Sequence, residues 1–174
     1  MLRVGIAGVG TMGRTHASAY AKLPNTRLIG FYDSVTEAAQ RVASQFGVQA
    51  FPSYEAMLEQ VDMVDICTPT PTHLELVLKA ASAGKHILCE KPLGRTLPQC
   101  EQMIEAASKA GVTLMPAQVL RFFPEFKQAR DLVLAGAVGK PAAIRTRRGG
   151  PYPRAANDWY ADFEQSGGPI LDMV

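Results

Sequence analysis

The sequence is short of the features that mark several large protein classes. Its 174 residues hold three cysteines, Cys67, Cys89 and Cys100, with no CxxC spacing. That excludes a disulfide framework and a paired-cysteine zinc site, and no metal is expected; a reducing cytoplasm fits. No apolar run approaches the roughly 18–20 residues that span a bilayer. The opening segment MLRVGIAGVG lacks the basic region, long apolar core and cleavage site of a secretion signal. The expectation is a soluble, cytoplasmic protein with no membrane partner. Charge of one sign is also scarce: 18 Lys+Arg against 16 Asp+Glu leave +2, too little for a nucleic-acid binder with a dedicated basic face. No internal repeat or low-complexity segment occurs.

What remains is ordinary globular composition, 47% hydrophobic and 20% charged. At roughly 100–200 residues per domain, that is one domain or one and a fragment of another. Short β-branched runs alternate with amphipathic stretches, the pattern of a parallel sheet with crossover helices. The runs are Leu2–Ala7, Arg27–Tyr32, Met63–Cys67, His86–Cys89, Val112–Met115 and Ala142–Thr146. Helices are expected near 11–22, 34–46, 53–60, 72–83, 97–110 and 124–135. Ser34 and Glu37 have the spacing of a capping box. Gly47, Gly84, Gly111 and Gly136 stand where helices should stop, because glycine enters the left-handed region without a Cβ penalty.

The alternation breaks near residue 117, giving way to a helix, a turn, one strand and a Gly/Pro-rich stretch. The expected division is therefore a nucleotide-binding domain over 1–117 and the start of a second domain over 118–174. A segment of that second size makes a marginal core by itself.

The strongest local signal is Gly8-Val-Gly10-Thr11-Met12-Gly13, after an expected strand and opening an expected helix. A dinucleotide pyrophosphate needs a tight bend at the first glycine, backbone approach at the second and close helix–strand packing at the third, with the helix N-terminus facing the negative charge. A glycine-rich turn without a ligand is the bland alternative. Asp33 closes the second strand, 20 residues beyond Gly13, where a carboxylate accepts hydrogen bonds from ribose hydroxyls and repels a 2′-phosphate. This favours NAD, with NADP kept open by the nearby Arg14 and Arg41; a solvated turn residue is the alternative for Asp33. Methyltransferases share the glycine turn and the strand-end acid, so these two features alone leave the cofactor open.

Cys67-Thr68-Pro69-Thr70-Pro-Thr-His73 and Glu90-Lys91-Pro92 follow the next two strands, at the sheet edge where open α/β proteins bind ligands. The Lys91 ammonium is placed to stabilise alkoxide character on a substrate hydroxyl, though a surface lysine before a proline turn reads as well. His73 reads equally as a capping or packing residue. The cluster Arg145, Arg147, Arg148 and Arg154 suits an anion or simply a solvated surface. Trp159-Tyr-Ala-Asp-Phe163 suits a sugar site or an apolar anchor.

The ordered set Gly8-x-Gly10-x-x-Gly13, Arg14-x-His16, Asp33, Thr68-Pro69-Thr70-x-x-His73, Gly84-Lys85-His86, Glu90-Lys91-Pro92, Arg121-Phe122-x-Pro124 and Ser166-Gly-Gly-Pro-Ile-Leu-Asp172 resembles the Gfo/Idh/MocA oxidoreductases, the group that includes glucose-fructose oxidoreductase and inositol dehydrogenase. The resemblance implies an α/β fold: a Rossmann-type doubly wound parallel sheet followed by an incomplete α+β open-sheet domain. It also implies hydride transfer between NAD(P) and a hydroxyl of a sugar, polyol or cyclitol. Gly8, Gly10, Thr11, Met12, Gly13, Asp33, Thr68, Pro69, Thr70, His73, Glu90 and Lys91 are the implied cofactor contacts. Lys91 and Asp172 are the implied catalytic residues. The family's third catalytic group, a histidine four residues after the aspartate, falls past Val174, the last residue here. The expectation is a truncated second domain, a chain inactive alone, and association with a copy of itself. A non-catalytic dinucleotide-binding module is the alternative.

Overall fold

In a computed structural model, the described residues are 1–147 and 162–168. Six strands alternate with helices: β1 (Leu2–Ala7), α1 (Thr11–Tyr20), β2 (Thr26–Tyr32), α2 (Thr36–Phe46), β3 (Gln49–Ala50), α3 (Tyr54–Leu58), β4 (Met63–Ile66), α4 (His73–Ser82), β5 (His86–Cys89), α5 (Leu97–Ala110) and β6 (Leu114–Pro116). A helix α6 (Pro124–Leu134) follows, and later α7 (Phe163–Ser166). Short 3-10 turns occupy Thr70–Thr72 and Val119–Phe122. Every strand pair is parallel and the order is β3-β2-β1-β4-β5-β6, the doubly wound Rossmann arrangement expected from the alternation. The order reverses between β1 and β4, which opens a crevice at their carboxyl ends.

The period-2 alternation of strand side chains builds a core on each face. Val4, Ile6 and Phe31 pack with Ala17, Tyr20, Val42 and Ala43 of α1 and α2. Val64, Ile66, Ile87 and Cys89 pack with Tyr54, Met57, Leu76, Val77 and Met103 of α3, α4 and α5. Gly47 and Gly111, in the left-handed region at φ 65° and 67°, cap α2 and α5 as the sequence implied. Among the described residues, no helix is long and apolar enough to cross a membrane.

Two local expectations are corrected and one strand is added. The capping box at Ser34 and Glu37 does not form: α2 starts at Thr36 and its N-cap, Val35, makes no side-chain bond to the helix. The reason is Asp33, whose Oδ1 accepts the Val35 amide at 2.9 Å and so holds the chain out of helical geometry for two more residues. The reciprocal box is instead at Thr96 and Gln99, opening α5. The two-residue β3 was not anticipated, being too short to show a period. Finally, Ala142–Thr146 forms no strand. No described strand pairs with it, Ile144 is 77% exposed, and an extended segment without a ladder leaves its amides to water.

Candidate functional site

The sheet register aligns the site. Ala7 lies opposite both Tyr32 and Ile66, and Ile66 opposite Cys89. The residues that follow these strand ends, Asp33, Gly8, Cys67 and Glu90, therefore stand in a row along the carboxyl edge. The ladder runs one step into them: the Gly8 amide donates to the Tyr32 carbonyl at 2.8 Å, the Cys67 amide to Ala7 at 2.8 Å and the Glu90 amide to Ile66 at 2.9 Å.

The three glycines of the first loop differ in what demands them. Gly8 has φ +93°, and a Cβ there would lie 2.8 Å from the Cys67 carbonyl. A Cβ on Gly13 would collide with the Gly8 carbonyl oxygen. A Cβ on Gly10 would meet nothing within 4 Å. Internal packing thus accounts for Gly8 and Gly13, whereas Gly10 leaves open space at the start of α1, where the first helical amides lack intrahelical acceptors. Thr11 and Met12 are exposed beside it. Asp33 Oδ2 accepts the Val9 amide at 2.9 Å, tying the strand-end acid to the glycine loop.

The loops after β4 and β5 are joined by His73, which is 1% exposed. Its Nε2 lies 2.9 Å from the Thr68 carbonyl oxygen and its Nδ1 3.0 Å from that of Pro92. Pro69 is exposed, Thr70 buried and Thr68 intermediate, with the Thr68 hydroxyl 2.7 Å from that of Thr72. Lys91 is half-buried at the same edge, and its peptide bond to Pro92 is cis. Helix α7 packs against the Thr70–Thr72 turn, and Arg95 Nη2 reaches the Phe163 carbonyl at 3.4 Å. Residues 162–168 are thereby held beside this edge. Asp172, Arg148, Arg154 and most of the Trp159–Phe163 segment lie outside the described residues.

A second group of residues carries more electrostatics than the sequence suggested. Asp65 sits in the middle of the buried run Met63-Val-Asp-Ile66, fully inaccessible, on the face that β4 presents to α1. It receives the Tyr20 hydroxyl at 3.0 Å and lies 2.8 Å from His16 Nδ1. His16 Nε2 lies 3.2 Å from Glu90 Oε1, and the other Glu90 oxygen accepts the Lys91 amide at 2.9 Å. Cys67 Sγ is 3.4 Å from both the His16 ring and Asp65. The hydrogen bond to Asp65, aided by Cys67 and Glu90, pushes the His16 pKa up to about 12 against the cost of burial. Burial, with Asp65 nearby, pushes the Tyr20 hydroxyl up as well, and burial takes the Cys67 thiol to about 12. Burial also opposes ionisation of Glu90, but His16 and the Lys91 amide outweigh it and hold its pKa below the usual carboxylate range. The His16 ring, its protonated form favoured, thus lies between the carboxyl groups of Asp65 and Glu90. Donor atoms of His16, Asp65 and Cys67 lie within 4.8 Å of one another.

His16 appeared in the sequence only as part of the glycine-loop motif, and Asp65 and Tyr20 did not appear as site residues. Two signals pointed to them: a carboxylate inside an apolar strand, and His16 and Tyr20 four residues apart on one helix face.

Comparison with known proteins places this geometry. Residues 2–118 match the model of an oxidoreductase family with an NAD-binding Rossmann fold, GFO_IDH_MocA, and residues 126–174 match a GFO/IDH/MocA C-terminal domain. The myo-inositol 2-dehydrogenase of Thermotoga maritima is 33% identical over 99% of this chain and 52% of its own length. An NAD-binding protein from Listeria innocua superposes with a TM-score of 0.88 at 28% identity, covering 99% of this chain and 51% of that one. The WlbA dehydrogenase of Bordetella pertussis, solved with NADH and UDP-GlcNAcA, gives 0.75 at 27% identity over 79% and 41%. The chain spans about half the length of the curated relatives it matches. With the family model covering the whole nucleotide-binding sheet and the glycine loop, acid and lysine lying along one edge of it, the chain belongs to the GFO/IDH/MocA oxidoreductase family.

Proposed function

We propose that this chain binds NAD and provides the cofactor half of a dehydrogenase acting on a hydroxyl of a sugar, polyol or cyclitol. The observation that carries the reading is Gly10: a glycine that no internal contact requires, opening free space at the head of α1 and at the switch point of the sheet. There Gly8, Gly10, Thr11, Met12 and Gly13 would face the pyrophosphate, and Asp33 the adenosine ribose. Thr68, Pro69, Thr70, His73, Glu90 and Lys91 would frame the nicotinamide side. Bound NAD supplies the hydride acceptor. Lys91 would donate a hydrogen bond to the reacting hydroxyl oxygen and stabilise its negative charge, and Asp172 is the second proposed catalytic residue. The named relatives that act on or were solved with an inositol and a nucleotide sugar support the substrate class.

The same proposal places the domain division after residue 117 and assigns 118–174 to a substrate and oligomerisation domain, so that the protein works as a homo-oligomer in the cytoplasm. Light scattering compared with a version ending at residue 117 tests the association. A non-catalytic dinucleotide-binding module is the second reading.

Calorimetric titration decides the cofactor: NAD should bind, and more tightly than NADP. Binding of neither, or a preference for NADP, overturns the assignment. NAD reduction with myo-inositol or hexoses then separates the readings. Turnover in the ordinary range, roughly 1 s⁻¹ or more, supports a catalyst, and binding without turnover supports the module.

A further inference from the structure

The His16 ring links three elements that the site depends on. Its own helix, α1, begins at the glycine loop. Asp65, on its Nδ1, is anchored in β4 by the sheet and by Tyr20. Glu90, on its Nε2, is the residue before Lys91 and passes the restraint on through Oε2 to the Lys91 amide. Glu90 is 6% exposed and Asp65 fully buried, so neither carboxylate can turn to water if the ring is lost. Burying two carboxylates this close together is costly unless a cation lies between them.

We propose that His16 is a positioning residue: its ring, bridging Asp65 and Glu90, holds the main chain at Lys91 in fixed relation to the helix that opens at the glycine loop. Its consequence for the site is that the head of α1 and the lysine at the end of β5 behave as one rigid unit. The inference rests on the reading above in one respect, that Lys91 acts at the cofactor edge. The bridge itself is independent of it.

The test uses the 174-residue chain and three variants, His16→Gln, Glu90→Gln and the double. First, nitrogen-15 spectra of the wild-type imidazole should show both ring nitrogens of His16 protonated at pH 9; a neutral tautomer there overturns the bridge. Second, amide exchange at Lys91 should quicken about tenfold in each single variant while amides of β1 and β2 keep their rates, because only the local opening is eased. The double variant should match the singles rather than multiply them, as groups acting through one link do. Uniform acceleration across the sheet, or no change at Lys91, overturns the positioning role. Should His16→Gln fail to fold, Glu90→Gln carries the exchange measurement by itself. Third, NAD is titrated into the wild type: if it does not bind while Lys91 responds as stated, the functional reading fails and the His16 inference stands. If NAD binds and Lys91 is unmoved, the reverse holds.

Discussion

A single buried ring staples Thr68 to Pro92: the imidazole of His73 stands between their carbonyl oxygens, 2.9 Å from one and 3.0 Å from the other. The two loops that border the sheet edge after β4 and β5 are thus one structure. Replacing His73 with Ala removes the ring and leaves a small cavity between the two carbonyls.

The expected cost of His73→Ala is about 2–4 kcal/mol of unfolding free energy. Urea unfolding checks it. A loss under about 0.5 kcal/mol, the level of an ordinary surface change, would show that the loops hold without the ring.

The loop glycines should separate stability from binding. Gly13→Ala drives a methyl into the Gly8 carbonyl and should destabilise by about 1–3 kcal/mol. Gly10→Ala has open space in front of it; its melting temperature should stay within a few degrees of wild type, a shift of about 0.5 kcal/mol or less. Its NAD affinity should fall at least about tenfold, since the methyl occupies the approach of the pyrophosphate. Melting curves and calorimetry on both variants decide it, and unchanged NAD affinity in Gly10→Ala would remove the reason given for that glycine.

Asp33 has two duties that two substitutions can divide. Asp33→Asn removes the charge and keeps one oxygen, which can accept only one of the Val9 and Val35 amides, so the preference for NAD over NADP should narrow at a loss of about 1 kcal/mol. Asp33→Ala also frees the Val9 and Val35 amides and should cost about 1 kcal/mol more. Paired cofactor titrations and unfolding curves are the measurement; a preference unchanged in both variants would mean that another residue reads the ribose.

His16 should leave a mark on the alkaline side of the stability profile. Its folded pKa is raised from 6.5 to about 12, first by Asp65. The stabilisation is therefore complete below pH 6.5 and is lost progressively as the pH climbs towards about 12. Glu90, whose pKa is lowered, works in the opposite sense: its contribution is present above the ordinary carboxylate range and is lost on acidification. Urea midpoints at pH 6, 8 and 10 should fall more steeply for wild type than for His16→Gln. Parallel profiles would contradict a buried imidazolium.

Much of the molecule could be read along the chain, because its signals are local. The glycine loop, the strand-end acid and the left-handed caps at Gly47 and Gly111 depend on φ preferences and on neighbours a few residues away. The alternation of apolar runs with amphipathic stretches leads to a parallel doubly wound sheet, since crossover helices leave few other ways to bury both faces.

What tertiary structure decided are the pairings between distant positions. Ser34 and Glu37 have the spacing of a capping box, but the Asp33 carboxylate takes the Val35 amide and the helix starts later. Ala142–Thr146 has strand composition, but a strand exists only when a partner meets its backbone, and none of the described ones does. His16, Asp65 and Glu90 are separated by 49 and 25 positions and carry no shared motif. They become one charged unit only because the register sets Asp65 on the face towards α1 and ends β5 beside it. Contact then makes the charge on His16 and Glu90 depend on their neighbours. That dependence is a property of distance and dielectric, which a linear order of residues does not contain.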